Sequence, residues 1–160
     1  PEQLARTPGL RGLIGARGNE RERRGYDDFA NAVTDSQRRF IAIPGIRELG
    51  MNLGPVADHV TTQKTANRQA LPVNLEFPER VRYQTQTVSL AEQYLPARMA
   101  KPDFRKMSEY EKRQEIEKTM TTIREIVADR LIARMDPRTL DRRMLESTPY
   151  SLRPTGTGGQ

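Results

Sequence analysis

Residues 108–135 read SEYEKRQEIEKTMTTIREIVADRLIARM, and this stretch decides the fold class. Its first four residues, Ser108-Glu109-Tyr110-Glu111, fit a capping box. The Ser108 hydroxyl can accept from the Glu111 backbone N–H, and the Glu111 carboxylate can accept from the Ser108 N–H. Glu109 and Glu111 also place negative charge at the positive end of a helix macrodipole. Ile116, Met120, Ile123, Val127, Leu131 and Met135 then recur at steps of four and three. That spacing draws one apolar face on a helix of period near 3.6. Glu109–Arg113 and Arg113–Glu117 add opposite charges four residues apart. Asp136-Pro137 ends the segment, because a proline disfavours helical geometry at the residue before it. The sequence predicts one long helix over 108–135. Arg130 stands where a strict heptad would need an apolar residue, so a long coiled coil is not expected.

No other stretch shows an apolar face of similar length. The stripe of Ile116, Met120, Ile123, Val127, Leu131 and Met135 therefore reads as a face that docks on another protein subunit. The composition agrees with a chain of low compactness. Hydrophobic residues make up 35% of the 160, tryptophan is absent, and Gly and Pro number 11 each. Ordinary domains run to about 45–50% apolar on a scale that also counts Gly.

Outward from the helix, residues 1–26 form a basic arm with Gly9, Gly12, Gly15 and Gly18 at every third position. Arg6, Arg11, Arg17, Arg21, Arg23 and Arg24 suit contact with a phosphate backbone or an acidic protein surface. Residues 27–70 read as short helices: one capped by Asp27 or Asp28 and ended by Pro44-Gly45, another started by Gly54-Pro55 and running to about Arg68. Leu71, Val73, Leu75 and Phe77 alternate with polar residues or proline, as do Val81, Tyr83, Thr85 and Thr87. Period-2 alternation is the mark of extended strand. Residues 71–88 are thus expected to form a hairpin across Pro78-Glu79, or to add strands to a neighbour's sheet.

Residues 89–146 read as a helical region. Ser89-Leu90-Ala91-Glu92 repeats the capping-box pattern, with Pro96 as its stop and an irregular basic connector to 107. After Met135, Asp136 caps a shorter helix to about Glu146, and 147–160 read as an extended tail. The class expected is mainly α with extended segments and a small β element.

The chemistry of the side chains narrows function. The absence of cysteine removes disulfides, thiolate metal ligands and thiol nucleophiles. His59 is the single histidine, and a catalytic or metal-bound imidazole needs positioned partners. No phosphate loop, dinucleotide fingerprint or nucleophile elbow occurs. Gly12-Leu13-Ile14-Gly15 matches the GXXG of RNA-binding KH domains only superficially, without flanking context. No catalytic residue, metal, cofactor or small-molecule substrate is expected. The start Pro1-Glu2-Gln3-Leu4 shows no signal-peptide pattern, and no apolar run reaches the roughly 18 residues that span a bilayer. The net charge of +6 is carried mostly by arginine, which favours bidentate contacts at interfaces.

The expectation is a structural or interaction subunit of a large assembly. A virion is preferred, with the chain as a minor capsid-, portal- or tail-associated protein, placed in the virion or the cytoplasm. A small RNA-contacting subunit of a ribosome or other ribonucleoprotein is the alternative.

Overall fold

The computed structural model describes residues 16–54, 56–62, 66 and 69–147, with side chains from residue 20 onward. Among these residues, five helices and two strands follow in order: α1 (Ala16–Ala42), β1 (His59–Thr61), β2 (Pro72–Asn74), α2 (Phe77–Met99), α3 (Pro102–Arg105), α4 (Glu109–Arg134) and α5 (Pro137–Ser147). The chain is mainly helical with one small antiparallel sheet.

The central helix is α2. Phe77, Val81, Gln84, Val88, Ala91 and Leu95 recur at steps of four and three, and α1 carries the same spacing at Phe29, Val33, Ser36 and Phe40. These are two heptad seams, and they run parallel. The Phe29 and Phe77 rings lie 5.8 Å apart. One heptad further on in both helices, the Gln84 amide donates to the Ser36 hydroxyl at 3.0 Å. Arg39 then donates to Ser89 and Glu92. A second buried row on α2, with Tyr83, Thr87 and Leu90, widens its apolar surface beyond the α1 seam. Arg98 near the end of α2 binds Glu115 near the start of α4, at 2.9 Å. Tyr83, further towards the start of α2, lies beside Arg124 and Ala128 in the second half of α4. So α2 and α4 run antiparallel, as their short connection requires.

Parallel α1 and α2 need a crossover, and residues 43–76 supply it. Ile43, Ile46 and Leu49 are buried as the chain turns, with Gly45 at φ 95°, where a side chain would press on Met99. The segment then returns along α4. Arg113 donates to the Leu49 carbonyl at 3.3 Å and Arg124 to the Leu53 carbonyl at 2.8 Å. Two long side chains thereby satisfy loop carbonyls that no ladder serves. The crossover ends in the sheet, where Val60 pairs with Val73. Next, Glu76 and Glu79 form a capping box at the start of α2. Arg143 of α5 bridges both carboxylates and reaches the Asn74 carbonyl.

The long helix at 108–135 is present as α4, with Ser108 and Glu111 exchanging both capping bonds. Asp136 caps α5 by accepting from the Arg138 and Thr139 N–H groups. The Ser108 N–H holds the Glu111 carboxyl below the usual carboxylate range, and the Thr139 hydroxyl, with the two N–H groups, does the same for Asp136.

Several expectations need correction. The stretch 16–26 is helical rather than an extended arm, and Asp27 and Asp28 lie inside α1 rather than capping it. The chain past Gly54 contains β1 in place of a helix; residues 55, 63–65, 67 and 68 lie outside the described ones. The hairpin expected over 71–88 does not form: β2 pairs with β1, and 77–88 belong to α2. Burial of two stripes outweighs the strand preference of the β-branched residues there. Ser89 and Glu92 receive Arg39 instead of starting a helix. Pro96 falls in the last turn of α2, where the helix continues to Met99. The connector after it contains α3, whose Phe104 is buried. The buried apolar residues form one cluster. Ser147 ends α5, and residues 148–160 of the expected tail lie outside the described ones.

The seam yields two expected outcomes. Ser36→Ala strands the buried Gln84 amide and is expected to destabilise by about 1–3 kcal/mol in urea titrations. The pair Ser36→Ala with Gln84→Leu is expected to recover most of that loss; no recovery would show that the hydrogen bond is not what the seam depends on. On α4, Ile123 is 2% exposed and Ile126 36%. Ile123→Ala is expected to cost about 2–5 kcal/mol, and Ile126→Ala less than about 0.5 kcal/mol. Equal losses in thermal melts would contradict this packing.

Candidate functional site

The six-residue stripe of α4 is not an open docking face. Ile116, Met120, Ile123, Val127 and Leu131 are buried by this chain's own elements, and Met135 packs against the same core. The reason is α2, whose second buried row includes Tyr83 and Thr87, two residues expected in strand. Of the basic arm, Arg6 and Arg11 lie outside the described residues. Arg17 is helical in backbone, Arg21 and Arg24 are exposed and Arg23 is half-buried.

These arginines stand on an overhang. Gly25, Tyr26 and Phe29 of α1 all meet Phe77, the first residue of α2, so residues 16–24, about 13 Å of helix, precede that contact. Glu20, Arg21, Glu22 and Arg24 are all exposed there. Tyr26, 57% exposed, packs the edge of its ring on Phe77 at 6.1 Å. The Arg80 guanidinium lies 5.0 Å from the Phe77 centroid and completes the cluster. Gly25 allows the approach, since a Cβ there would lie 3.3 Å from Phe77.

Five other arginines have structural work inside the fold. Arg39, Arg98, Arg113, Arg124 and Arg143 each join two elements by the bonds given above. Their bidentate geometry explains why arginine outnumbers lysine without any ligand being invoked. The Arg39 and Arg98 guanidiniums are raised above their ordinary values, chiefly by hydrogen bonds to Glu92 and Glu115.

The same end of the molecule holds a cleft of about 650 Å³ between β1 and α4. His59, Thr61 and Thr62 form one wall, Thr121, Arg124, Glu125 and Asp129 the other, and Tyr83 of α2 also lines it. The His59 ring nitrogen Nδ1 lies 2.8 Å from Asp58 Oδ1. That hydrogen bond holds the Asp58 carboxyl below its usual range. Burial pushes the Tyr83 phenol up, partly opposed by Arg124. Among the described residues, no group of three or more His, Asp and Glu is placed to hold a metal ion. No helix among them is long and apolar enough to cross a membrane. The sequence reading missed this cleft, because its walls come from residues 59–62, 83 and 121–129. The steps Thr121, Glu125 and Asp129 were the available signal: a polar face on a helix whose opposite face is core.

No family model, curated protein or solved structure matches this chain.

The buried phenol gives a pH test. A phenol raised in the folded state favours its neutral form, so its share of stability is present below the ordinary tyrosine value of about 10 and lost as pH rises through the folded value. Phenolate absorbance should show a step for Tyr83 above the ordinary tyrosine range. Tyr83→Phe should remove that step; its persistence would place another tyrosine in the buried setting.

Proposed function

We propose that this chain is a structural and interaction unit of a large macromolecular assembly. The assembly proposed is a virion, in which it serves as a minor capsid-, portal- or tail-associated component. The observation that carries this reading is the α1 overhang. A helix locked further along in a parallel seam presents its first turns, with exposed Arg21 and Arg24, beyond its contact with α2, and the half-open Tyr26 ring stands at the edge of that contact. Arginine and tyrosine are the residue types that interfaces enrich. The Gly- and Arg-rich stretch before α1 continues the basic character along the sequence. Docking is assigned to this overhang and not to the buried stripe of α4. The choice of a virion among assemblies rests on this Arg-rich, arm-bearing character.

The test replaces Arg21 and Arg24 with Glu. Both side chains are exposed, so circular dichroism and the thermal midpoint should stay near those of the parent chain, while incorporation into the native particle falls at least tenfold. Normal incorporation of a folded double variant would refute docking through the overhang. Release of the parent chain from its particle by nuclease, with a steep loss of binding as salt rises, would instead favour the ribonucleoprotein reading.

A further inference from the structure

Lysine and arginine are distributed differently along this chain. Arginine is spread through the fold, whereas Lys101, Lys106, Lys112 and Lys118 lie close together and Lys64 is the other lysine. Arg105 stands among them. This stretch is the corner where α2 turns through α3 into α4. Lys101 precedes the first residue of α3 and Lys106 follows its last. Lys101, Arg105 and Lys106 are exposed, and Lys112 is half-buried.

The corner is held firmly. Phe104 is 4% exposed, and the cationic groups of Arg98 and Lys112 each lie 5.8 Å from its ring centroid. The Phe104 and Arg105 N–H groups donate to the Lys101 carbonyl, and the Lys106 N–H donates to that of Pro102. Lys101 and Arg105 are thus one turn apart, about 5–6 Å between Cβ atoms. The acidic residues of this stretch are engaged elsewhere. Asp103 and Glu115 both accept from Arg98, and Glu111 caps α4. Glu109 faces Arg113 at 3.7 Å and Glu117 faces Arg124 at 3.9 Å. Among the described residues, Lys101, Arg105 and Lys106 enter no ion pair. Outside those residues the sequence holds a single acidic side chain, Glu2, which cannot balance three cations. The corner therefore keeps a net positive charge.

We infer that this corner, with Lys101, Arg105 and Lys106 at its centre and Lys112 at its border, binds the phosphate backbone of a nucleic acid. The choice of cation points there. Arginine suits a planar partner of fixed geometry, as Arg98 finds in Asp103 and Glu115. Lysine is a compact charge on a flexible stem, suited to an array of charges whose exact placement varies. A phosphate backbone is such an array, and contacts to it carry no sequence information. The apolar side chains of the corner are turned away from this surface: Phe104 is in the core and Met107 packs against it. The corner thus lacks the apolar anchors that a bilayer surface or a protein interface would engage.

This deepens the assembly reading, and it rests on that reading only for bringing a nucleic acid within reach. The α1 overhang meets the start of α2, whereas the corner lies at its end, about 33 Å further along the helix. One end can hold a neighbouring subunit while the other meets the nucleic acid packaged beside it. Binding is read on the isolated full chain, so it succeeds or fails independently of particle incorporation through Arg21 and Arg24. The probe is a short fluorescein-labelled duplex of mixed sequence, followed by anisotropy as salt is raised. Saturable binding is expected, with Kd on the order of 10⁻⁶–10⁻⁴ M at physiological salt. Lys101→Gln, Arg105→Gln and Lys106→Gln together should weaken it at least tenfold. The plot of log K against log salt should become shallower by about 2–3, the share of three phosphates.

Removal of the same charge elsewhere, by glutamine at the exposed Arg130, Arg134 and Arg138, should weaken binding less than threefold. Lys101→Arg with Lys106→Arg should keep it. If the triple corner variant fails to fold, Lys106→Glu alone should weaken binding at least fivefold. The inference is overturned by absence of saturable binding, by equal weakening from the two triple variants, or by an unchanged salt slope in the corner variant. Polyglutamate that competes as well as unlabelled duplex at equal charge would also overturn it, by making an acidic protein the occupant. Phosphatidylserine vesicles bound as tightly as the duplex would do the same in favour of a lipid surface.

Discussion

A single hydrogen bond between two buried polar side chains sets the geometry of this protein. Ser36 and Gln84 occupy core positions of two heptad seams, where apolar residues would pack as well but would not distinguish one register from the next. A polar pair in such a seam fixes alignment, because any slip leaves a donor and an acceptor buried and unmatched. With α1 and α2 held parallel, the chain must travel back from the end of α1 to the start of α2. The crossover, its two arginine-held carbonyls and the small sheet follow from that requirement. The sheet, delivered beside the second half of α4, leaves the cleft between them.

The arginine content takes on a different meaning once the side chains are placed. Read as composition, it pointed outward, to phosphates or acidic partners. Arg39, Arg98, Arg113, Arg124 and Arg143 instead tie helix to helix or helix to loop. Arg21 and Arg24, on the turns of α1 beyond the seam, are exposed and take no part in such ties, and the proposed function draws on them.

The parts of the fold legible in the sequence are those specified by neighbours in the chain. Ser108 with Glu111, the Ile116–Leu131 spacing and Asp136-Pro137 all act within a few residues, and each lies where the pattern placed it. What escaped was specified from a distance. The α2 stripe is interrupted by Gln84, which is polar because its partner Ser36 is 48 positions earlier. Val81, Tyr83 and Thr87 come from two adjacent buried faces of one helix, and with the exposed Thr85 between them they imitate a strand. Ser89 and Glu92 imitate a cap because Arg39 needs two acceptors. The pairing of 59–61 with 72–74 left little trace, since three-residue strands carry almost no periodicity. The cleft was invisible for the same reason: its walls meet only after the crossover is in place.

The parallel arrangement also imposes an order on assembly of the chain itself. Contacts between α2 and α4 close a connection of nine residues, 100–108, whereas those between α1 and α2 must close the 34 residues of 43–76. Loop-closure entropy separates the two by about 1 kcal/mol, and local contacts form faster than distant ones. The α2–α4 hairpin is therefore the natural nucleus, and α1 the late-arriving element. By the same reckoning α1 is the piece most readily released from the finished fold, baring the Phe77–Leu95 seam while the hairpin stays intact.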